Sequence, residues 1–202
     1  MEILAYAGVA ILGYLLGSFP TGYLSARLLK GVDPREHGSG RTGGTNILRS
    51  AGRGAAVLTV LGDVAKGALA VLLARTWLGA DAAVIVAGLA AVLGHNHSLF
   101  LRFRGGAGSA TNFGVVLAMF PLVAPVVLAA AVITALVSRT ASIASIVAAL
   151  AMVLALLVSY WLAYSPGAYL IYGVLACGMI IFELRPNIQR LLAGSERRVE
   201  HY

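Results

Sequence analysis

Residues 142–164 read SIASIVAALAMVLALLVSYWLAY, a run of 23 residues without a charged side chain. A helix of roughly 20 apolar residues crosses a hydrocarbon core about 30 Å thick, so this run predicts a transmembrane helix. Across the 202 residues, 59% are apolar and 11% are charged, whereas soluble chains carry about 25% charged residues. The composition excludes a soluble enzyme, a disulfide scaffold and a disordered chain. It predicts an all-α, polytopic membrane protein forming one domain over residues 1–202.

The number of spans follows from the apolar runs and from the positive charges. Further spans are predicted at 3–29, 55–78, 83–101 and 167–183. The stretch 109–137 is too long for one untilted span, and prolines 121 and 125 disfavour a straight helix through its middle. If it folds as two spans broken near Pro121, 13 of the 15 Lys and Arg residues share one membrane face: Arg27, Lys30, Arg35, Arg41, Arg49, Arg53, Arg102, Arg104, Arg139, Arg185, Arg190, Arg197 and Arg198.

A single span over 109–137 would instead separate Arg139 from the C-terminal cations, against the positive-inside rule. We therefore predict seven spans, with the amino terminus outside and the carboxyl terminus on the cytoplasmic side. The net charge of +7 suits anionic lipid headgroups or an anionic substrate, not nucleic acid. Lys66 falls inside the second span and needs a partner. Asp63, three residues earlier, predicts either a structural ion pair or the border of a polar cavity.

The first cytoplasmic loop reads GVDPREHGSGRTGGTNILRSAGRG over residues 31–54. Its glycines let successive backbone N–H groups converge on one anion, and its arginines suit phosphate. Thr45 or Asn46 could cap a helix that begins near Ile47. The spacing resembles a nucleotide P-loop, but glycine stands where the lysine belongs and no strand precedes it. The alternative is a flexible glycine-rich connection between helices.

The second loop reads GHNHSLFLRFRGGAGSATN over residues 94–112 and repeats this pattern of glycines, guanidinium groups and hydroxyls. Two such loops predict binding of two phosphorylated groups, or of a phosphate that is transferred. His95 is either a hydrogen-bond donor to an anion or an interfacial histidine, and His97 is interfacial. Because His37 and His201 lack coordinating spacing, we expect no metal site.

Six segments in order resemble the bacterial acyl-phosphate-dependent glycerol-3-phosphate acyltransferase family: LGSFPTGYL, GSGRTGGTNILR, LGDVAKG, LGHNHSLFLRFRGGAGSAT, SIASI and NIQRLLAGSE. The resemblance implies seven transmembrane helices in the plasma membrane, an active site at its cytoplasmic face, and no cofactor. It implies transfer of a fatty acyl group from acyl phosphate to the sn-1 hydroxyl of glycerol 3-phosphate, giving lysophosphatidic acid and phosphate for phospholipid biosynthesis. The substrate's own phosphate would accept the proton. An upstream enzyme that forms acyl phosphate is an implied partner, beside the membrane lipids.

The resemblance also assigns site residues by position. No catalytic residue is certain, and the positioning or stabilising candidates are His95, Arg104, Ser142 and Asn187. Ser142 and Asn187 would close the cavity. Substrate-binding candidates are Ser39, Gly40, Arg41, Thr45, Asn46, Arg49, Lys66, Arg104, Gly105, Gly106, Gly108 and Asn187.

Three departures from the family pattern bear on these assignments. Ala107 stands where the family usually has lysine, Arg41 stands where asparagine is usual, and Leu184 and Pro186 interrupt a run of basic and polar residues. Arg41 could replace the missing lysine from the facing loop, because a guanidinium binds phosphate bidentately. Two alternatives to the acyltransferase remain. One is a divergent paralogue with another phosphorylated acceptor or no activity, and the other is a transporter of a phosphorylated anion.

Overall fold

A computed structural model describes residues 2–199, which form α-helices joined by turns and contain no β-strand. The chain divides into two compact units, Met1–Met119 and Phe120–Tyr202, which we describe separately. The first unit contains α1 (Glu2–Ser18), α2 (Thr21–Lys30), α3 (Gly44–Leu78), α4 (Asp81–Asn96) and α5 (Ser109–Met119). The second contains α6 (Ala124–Ser138), α7 (Ala141–Trp161), α8 (Gly167–Glu183) and α9 (Arg185–Leu192). The all-α prediction is confirmed.

The predicted apolar runs are largely helical, but the run 3–29 is broken at Phe19 and Pro20 into α1 and α2 because proline disfavours a continuous helix. Within residues 2–199, four segments are long and apolar enough to cross a membrane: Glu2–Lys30, Gly44–Leu78, Asp81–Leu101 and Ala141–Trp161. A fifth is added if α8 and α9, bent by 60°, count as one span. The predicted break near Pro121 is confirmed, because α5 ends at Met119 and α6 begins at Ala124. The helices on either side of it are apolar but short, with 11 and 15 residues.

Small residues let the helices of the first unit approach closely. A Cβ atom at Gly17 of α1 would lie 2.0 Å from the backbone oxygen of Ala91 in α4. A Cβ atom at Gly114 of α5 would lie 2.0 Å from the backbone oxygen of Val64 in α3. Such glycines permit backbone-to-backbone packing where lipid provides no hydrophobic drive for association.

The start of α3 differs from the prediction. The helix begins at Gly44 with Gly43 at the N-cap position and no side-chain capping bond, so neither Thr45 nor Asn46 caps it. The Asn46 side chain instead binds the preceding loop. A second difference is at Gly52, whose φ of 82° and ψ of −178° interrupt the helix ahead of the predicted span. Only glycine adopts that conformation readily.

Arg75, a cation outside the predicted cytoplasmic set, has a structural partner. Its guanidinium donates to the backbone oxygens of Ala118 and Met119 at 3.0 and 2.9 Å. These carbonyls are at the carboxyl end of α5, where no intrahelical donors follow. The charge therefore stabilises the end of a short helix.

In the second unit, α7 packs against both α6 and α8. The core of this unit includes the fully buried side chains of Met152, Leu156 and Tyr172. The chain after α9 returns to the turn between α6 and α7, where the N–H of Val199 donates to the backbone oxygen of Arg139 at 2.7 Å. The basic turn and the basic tail therefore lie at the same end of this unit.

Candidate functional site

Asn46 organises the first glycine-rich loop. Its side chain is 3% exposed, and Oδ1 accepts the N–H of Ser39 at 2.9 Å. Its amide nitrogen donates to backbone oxygens 2.7–3.1 Å away, on Pro34, His37 and Arg41. One buried side chain thereby links the residues on both sides of the glycine turn. The sequence predicted Asn46 as a phosphate contact, whereas the structure shows its polar atoms occupied by the loop itself.

The second glycine-rich loop packs on the end of α4. The N–H groups of Gly105 and Gly106 donate to the backbone oxygens of Asn96 and His95, both at 3.1 Å. A Cβ atom at Gly105 would lie 1.8 Å from the His95 oxygen, and one at Gly106 would lie 2.2 Å from His95 Nε2. Gly108 has a φ of 85°. The glycines are therefore required by close packing and by a left-handed backbone conformation.

The two loops meet directly. The N–H of Thr42 donates to the backbone oxygen of Gly105 at 3.3 Å, which joins segments about sixty residues apart in the chain. Arg41, half-buried, is adjacent to this contact, and Arg104 adjoins it with an exposed side chain. The structure thus brings the candidate residues of both loops to one end of the first unit.

A buried ionic cluster lies beside these loops. The Lys66 ammonium is 2.8 Å from Asp63 Oδ1, and His95 Nδ1 is 3.3 Å from the same oxygen. The hydroxyl of Thr21 donates to it as well. The predicted Asp63–Lys66 ion pair is confirmed in the structure. Lys66 also donates to the backbone oxygen of Phe19 at 3.0 Å, at the break between α1 and α2.

The ionic cluster borders a small recess. Its lining includes Asp63, Lys66 and His95 together with Thr42 from the first loop and Ser98 from the second. The sequence left open whether the Asp63–Lys66 pair is structural or borders a polar cavity. In the structure the two residues form an ion pair and also line the recess. The Asp63 Oδ2 atom has no hydrogen-bond partner within residues 2–199.

The candidates of the second unit converge on a residue that sequence reasoning missed. The Ser142 hydroxyl and the Asn187 amide donate to Glu196 Oε1 at 3.1 and 2.7 Å, and Arg190 Nε donates to Oε2 at 2.8 Å. Burial acts to raise the pKa of Glu196, but the hydrogen bonds from Asn187, Arg190 and Ser142 outweigh it and hold that pKa below its usual range. The motif NIQRLLAGSE contains Glu196, but the spacing of residues along the sequence does not predict which side chains bind Glu196.

The remaining predicted residues occupy varied positions. Ser39, Gly40 and Thr45 are half-buried in or beside the first loop, and Arg49 is exposed on α3. Thr21 and Thr42 are further polar residues at the recess that the sequence did not single out, although Thr21 lies within the motif LGSFPTGYL. His201, considered as a metal ligand, lies outside the described residues.

The chain is similar to proteins described as glycerol-3-phosphate acyltransferases. The family model described as Glycerol-3-phosphate acyltransferase matches residues 7–194. A protein of that name from Crocosphaera subtropica is 40% identical, over 98% of this chain and 96% of its own length. Another from Parasynechococcus marenigrum is 44% identical, over 93% of this chain and 87% of its own length.

Two similar solved structures are crystal structures of PlsY (YgiH), described as an integral membrane glycerol 3-phosphate acyltransferase. The glycerol 3-phosphate form has a TM-score of 0.86 and 37% identity, covering 96% of this chain and 95% of that one. The lysophosphatidic acid form has a TM-score of 0.85 and 37% identity, covering 96% and 94%. The chain belongs to the glycerol-3-phosphate acyltransferase family.

Proposed function

We propose that this multi-pass membrane protein transfers a fatty acyl group from acyl phosphate to the sn-1 hydroxyl of glycerol 3-phosphate, forming lysophosphatidic acid for phospholipid biosynthesis. The named relatives, and the solved structures described with glycerol 3-phosphate and with lysophosphatidic acid, support the acceptor and the product. The observation that carries the proposal is the hydrogen bond from Thr42 to Gly105, which brings two glycine-rich, cationic loops together.

The chemistry requires positioning more than a strong base. The sn-1 hydroxyl oxygen attacks the acyl carbonyl carbon, the carbon–oxygen bond to phosphate breaks, and phosphate leaves with the bonding electron pair. The proton of the attacking hydroxyl passes to the phosphate group of the same substrate, glycerol 3-phosphate. Because a mixed anhydride has a good leaving group, the guanidinium groups and hydroxyls beside the glycine turns supply most of what catalysis needs, by orienting both substrates and stabilising developing charge.

We assign the candidate residues to three roles. Direct contacts with phosphate come from side chains beside the glycine turns: Ser39, Arg41, Thr45, Arg49, His95 and Arg104. Gly40, Gly105, Gly106 and Gly108 support them by shaping the turns, because the N–H groups of Gly40, Gly105 and Gly106 already donate to backbone oxygens. Asn46 and Lys66 support them, Asn46 by fixing the first loop and Lys66 by holding the Phe19 carbonyl at the helix break. Ser142 and Asn187 keep the positioning role that the resemblance implies. Within the second unit they share Glu196.

We further propose seven spans, formed by α1 with α2 and by each of α3 to α8, with both glycine-rich loops on the cytoplasmic side. The contact between the loops supports a common side for residues 38–49 and 104–108. The contact of Val199 with Arg139 supports a common side for the basic turn and tail of the second unit. A cytoplasmic position of these cations agrees with the positive-inside rule.

Arg41 is proposed to replace the family's lysine at position 107. The Thr42–Gly105 hydrogen bond supports this, because it places the residue after Arg41 against the turn that contains Ala107. We expect Arg41→Asn to abolish most activity and Arg41→Asn with Ala107→Lys to recover it. If Arg41→Asn keeps full activity while Arg49→Ala removes it, Arg41 has no such role.

The decisive experiment is an assay of purified protein with acyl phosphate and glycerol 3-phosphate, without metal or nucleotide. We expect lysophosphatidic acid and phosphate in equal amounts. Acyl-CoA serves as the control donor and should give no product. Absence of product from acyl phosphate would refute the proposal in favour of a paralogue or transporter, which flux of a phosphorylated anion into liposomes would then separate.

A further inference from the structure

We propose that Asp63 is a positioning residue for His95, and that it fixes the imidazole beneath the glycine turn of the second loop. The proposal rests on the proposed function, because it identifies what holds one of the candidate site residues in place. Neither the sequence spacing nor the resemblance links the two residues, which lie on α3 and α4.

The first observation is the convergence of donors on one carboxylate oxygen. His95 Nδ1 lies 3.3 Å from Asp63 Oδ1, and the Lys66 ammonium lies 2.8 Å from it. The Asp63 and His95 side chains are only 1% and 5% exposed. A buried carboxylate is tolerated when it is paired and hydrogen-bonded, and here its partners hold it in one orientation.

The second observation concerns the other side of the imidazole ring. A Cβ atom at Gly106 would lie 2.2 Å from His95 Nε2, so this nitrogen is directly beneath the turn. The N–H of Gly106 also donates to the His95 backbone oxygen at 3.1 Å. Because Nδ1 faces the Asp63 carboxylate, the nitrogen left to face the turn is Nε2. In a phosphate site at Gly105–Gly108, that nitrogen is the one that faces the substrate, as an acceptor in the neutral ring and as a donor in the imidazolium form.

The competing explanation is that Asp63 serves only to neutralise Lys66, three residues along the same helix. The two explanations differ in one measurable respect. If Asp63 acts through His95, its removal matters only while His95 is present. If it acts through Lys66 alone, its removal costs the same whether or not residue 95 is histidine.

A double-mutant cycle with Asp63→Asn and His95→Gln tests the proposal. Each single variant should lower kcat/KM by about tenfold. Both variants should raise the KM of the same one of the two substrates, acyl phosphate or glycerol 3-phosphate. In the His95→Gln background, Asp63→Asn should cost less than about twofold. Equal costs of Asp63→Asn in both backgrounds would overturn the proposal. The control cycle pairs Asp63→Asn with Arg104→Ala and should be additive, since Arg104 is exposed and outside the cluster.

Thr21→Val provides a second route if Asp63→Asn does not fold. It removes one hydrogen bond to Asp63 and leaves the charge of the cluster unchanged. We expect a loss of about threefold in kcat/KM that disappears in the His95→Gln background, and an equal loss in both backgrounds would overturn the proposal. A wild-type protein that makes no lysophosphatidic acid would refute the proposed function instead, which keeps the two failures distinguishable.

Discussion

Replacement of Gly105 by alanine is the most specific structural perturbation of the candidate site. The added Cβ atom would lie 1.8 Å from the backbone oxygen of His95 and 2.7 Å from that of Asn96. Both atoms belong to the end of α4 and cannot rotate away. The turn must therefore move by roughly 1.5 Å or more to restore an ordinary van der Waals contact.

This displacement disturbs two hydrogen bonds. One runs from the N–H of Gly105 to Asn96, and the other runs from Thr42 to the Gly105 oxygen and joins the loops. Their loss costs about 1–3 kcal/mol in total, and a misplacement of about 1 Å in a positioned catalytic group can reduce the rate about 100-fold. We expect Gly105→Ala to lower kcat/KM about 100-fold.

The assay measures lysophosphatidic acid formed by purified variants, with the folded fraction checked by gel filtration and thermal unfolding. Gly54→Ala is the matched control, because a Cβ atom there meets nothing within 4 Å. It should retain full activity. A folded Gly105→Ala protein within threefold of wild-type activity would refute the packing argument.

Three further outcomes are expected. Asn46→Asp keeps an acceptor for Ser39 but cannot donate to the loop carbonyls, so it should lose at least about tenfold in kcat/KM, measured beside Asn46→Ala. Arg104→Ala should lose about 10–100-fold, since a charge-assisted contact with phosphate is removed, whereas Lys30→Ala should stay within about twofold. Because the folded-state pKa of Glu196 is lowered, the carboxylate stabilises the protein above its ordinary pKa, and this stabilisation is lost as the pH falls through the lower folded value. Thermal unfolding from neutral to acid pH should therefore show the advantage of wild type over Glu196→Gln shrinking.

Each of these expectations has a contrary result. A nearly active Asn46→Asp protein would show that the carbonyl contacts do not order the first loop. Equal, mild effects of Arg104→Ala and Lys30→Ala would count against the second loop as a binding site. A pH-independent difference between wild type and Glu196→Gln would mean that the hydrogen bonds to Glu196 do not depend on its charge.

Local sequence patterns predicted the helices and part of the site. Apolar length located the helices, Pro121 marked the break between α5 and α6, and the three-residue spacing of Asp63 and Lys66 predicted their ion pair. Each of these features depends on residues close together in the chain. The glycines at 105 and 106 were predicted as an anion-binding turn, but their packing on His95 was not.

Contacts between distant residues could not be predicted in the same way. The 31 residues between Asp63 and His95 carry no periodicity that would pair them. Asn46 was expected to bind an anion or cap a helix, and it binds loop carbonyls because the folded loop offers three of them to one amide. Glu196 is similar, since only the folded second unit brings Ser142 to it.

The central claim is that the two glycine-rich loops form one phosphate-binding site on the cytoplasmic side. Single cysteines at His37 and at Ala107, introduced with Cys177 replaced by serine, can be labelled with a membrane-impermeant thiol reagent in intact cells and in inverted membrane vesicles. We predict labelling of both positions only in inverted vesicles, with both protected by glycerol 3-phosphate. Labelling of the two positions from opposite sides of the membrane would contradict the account.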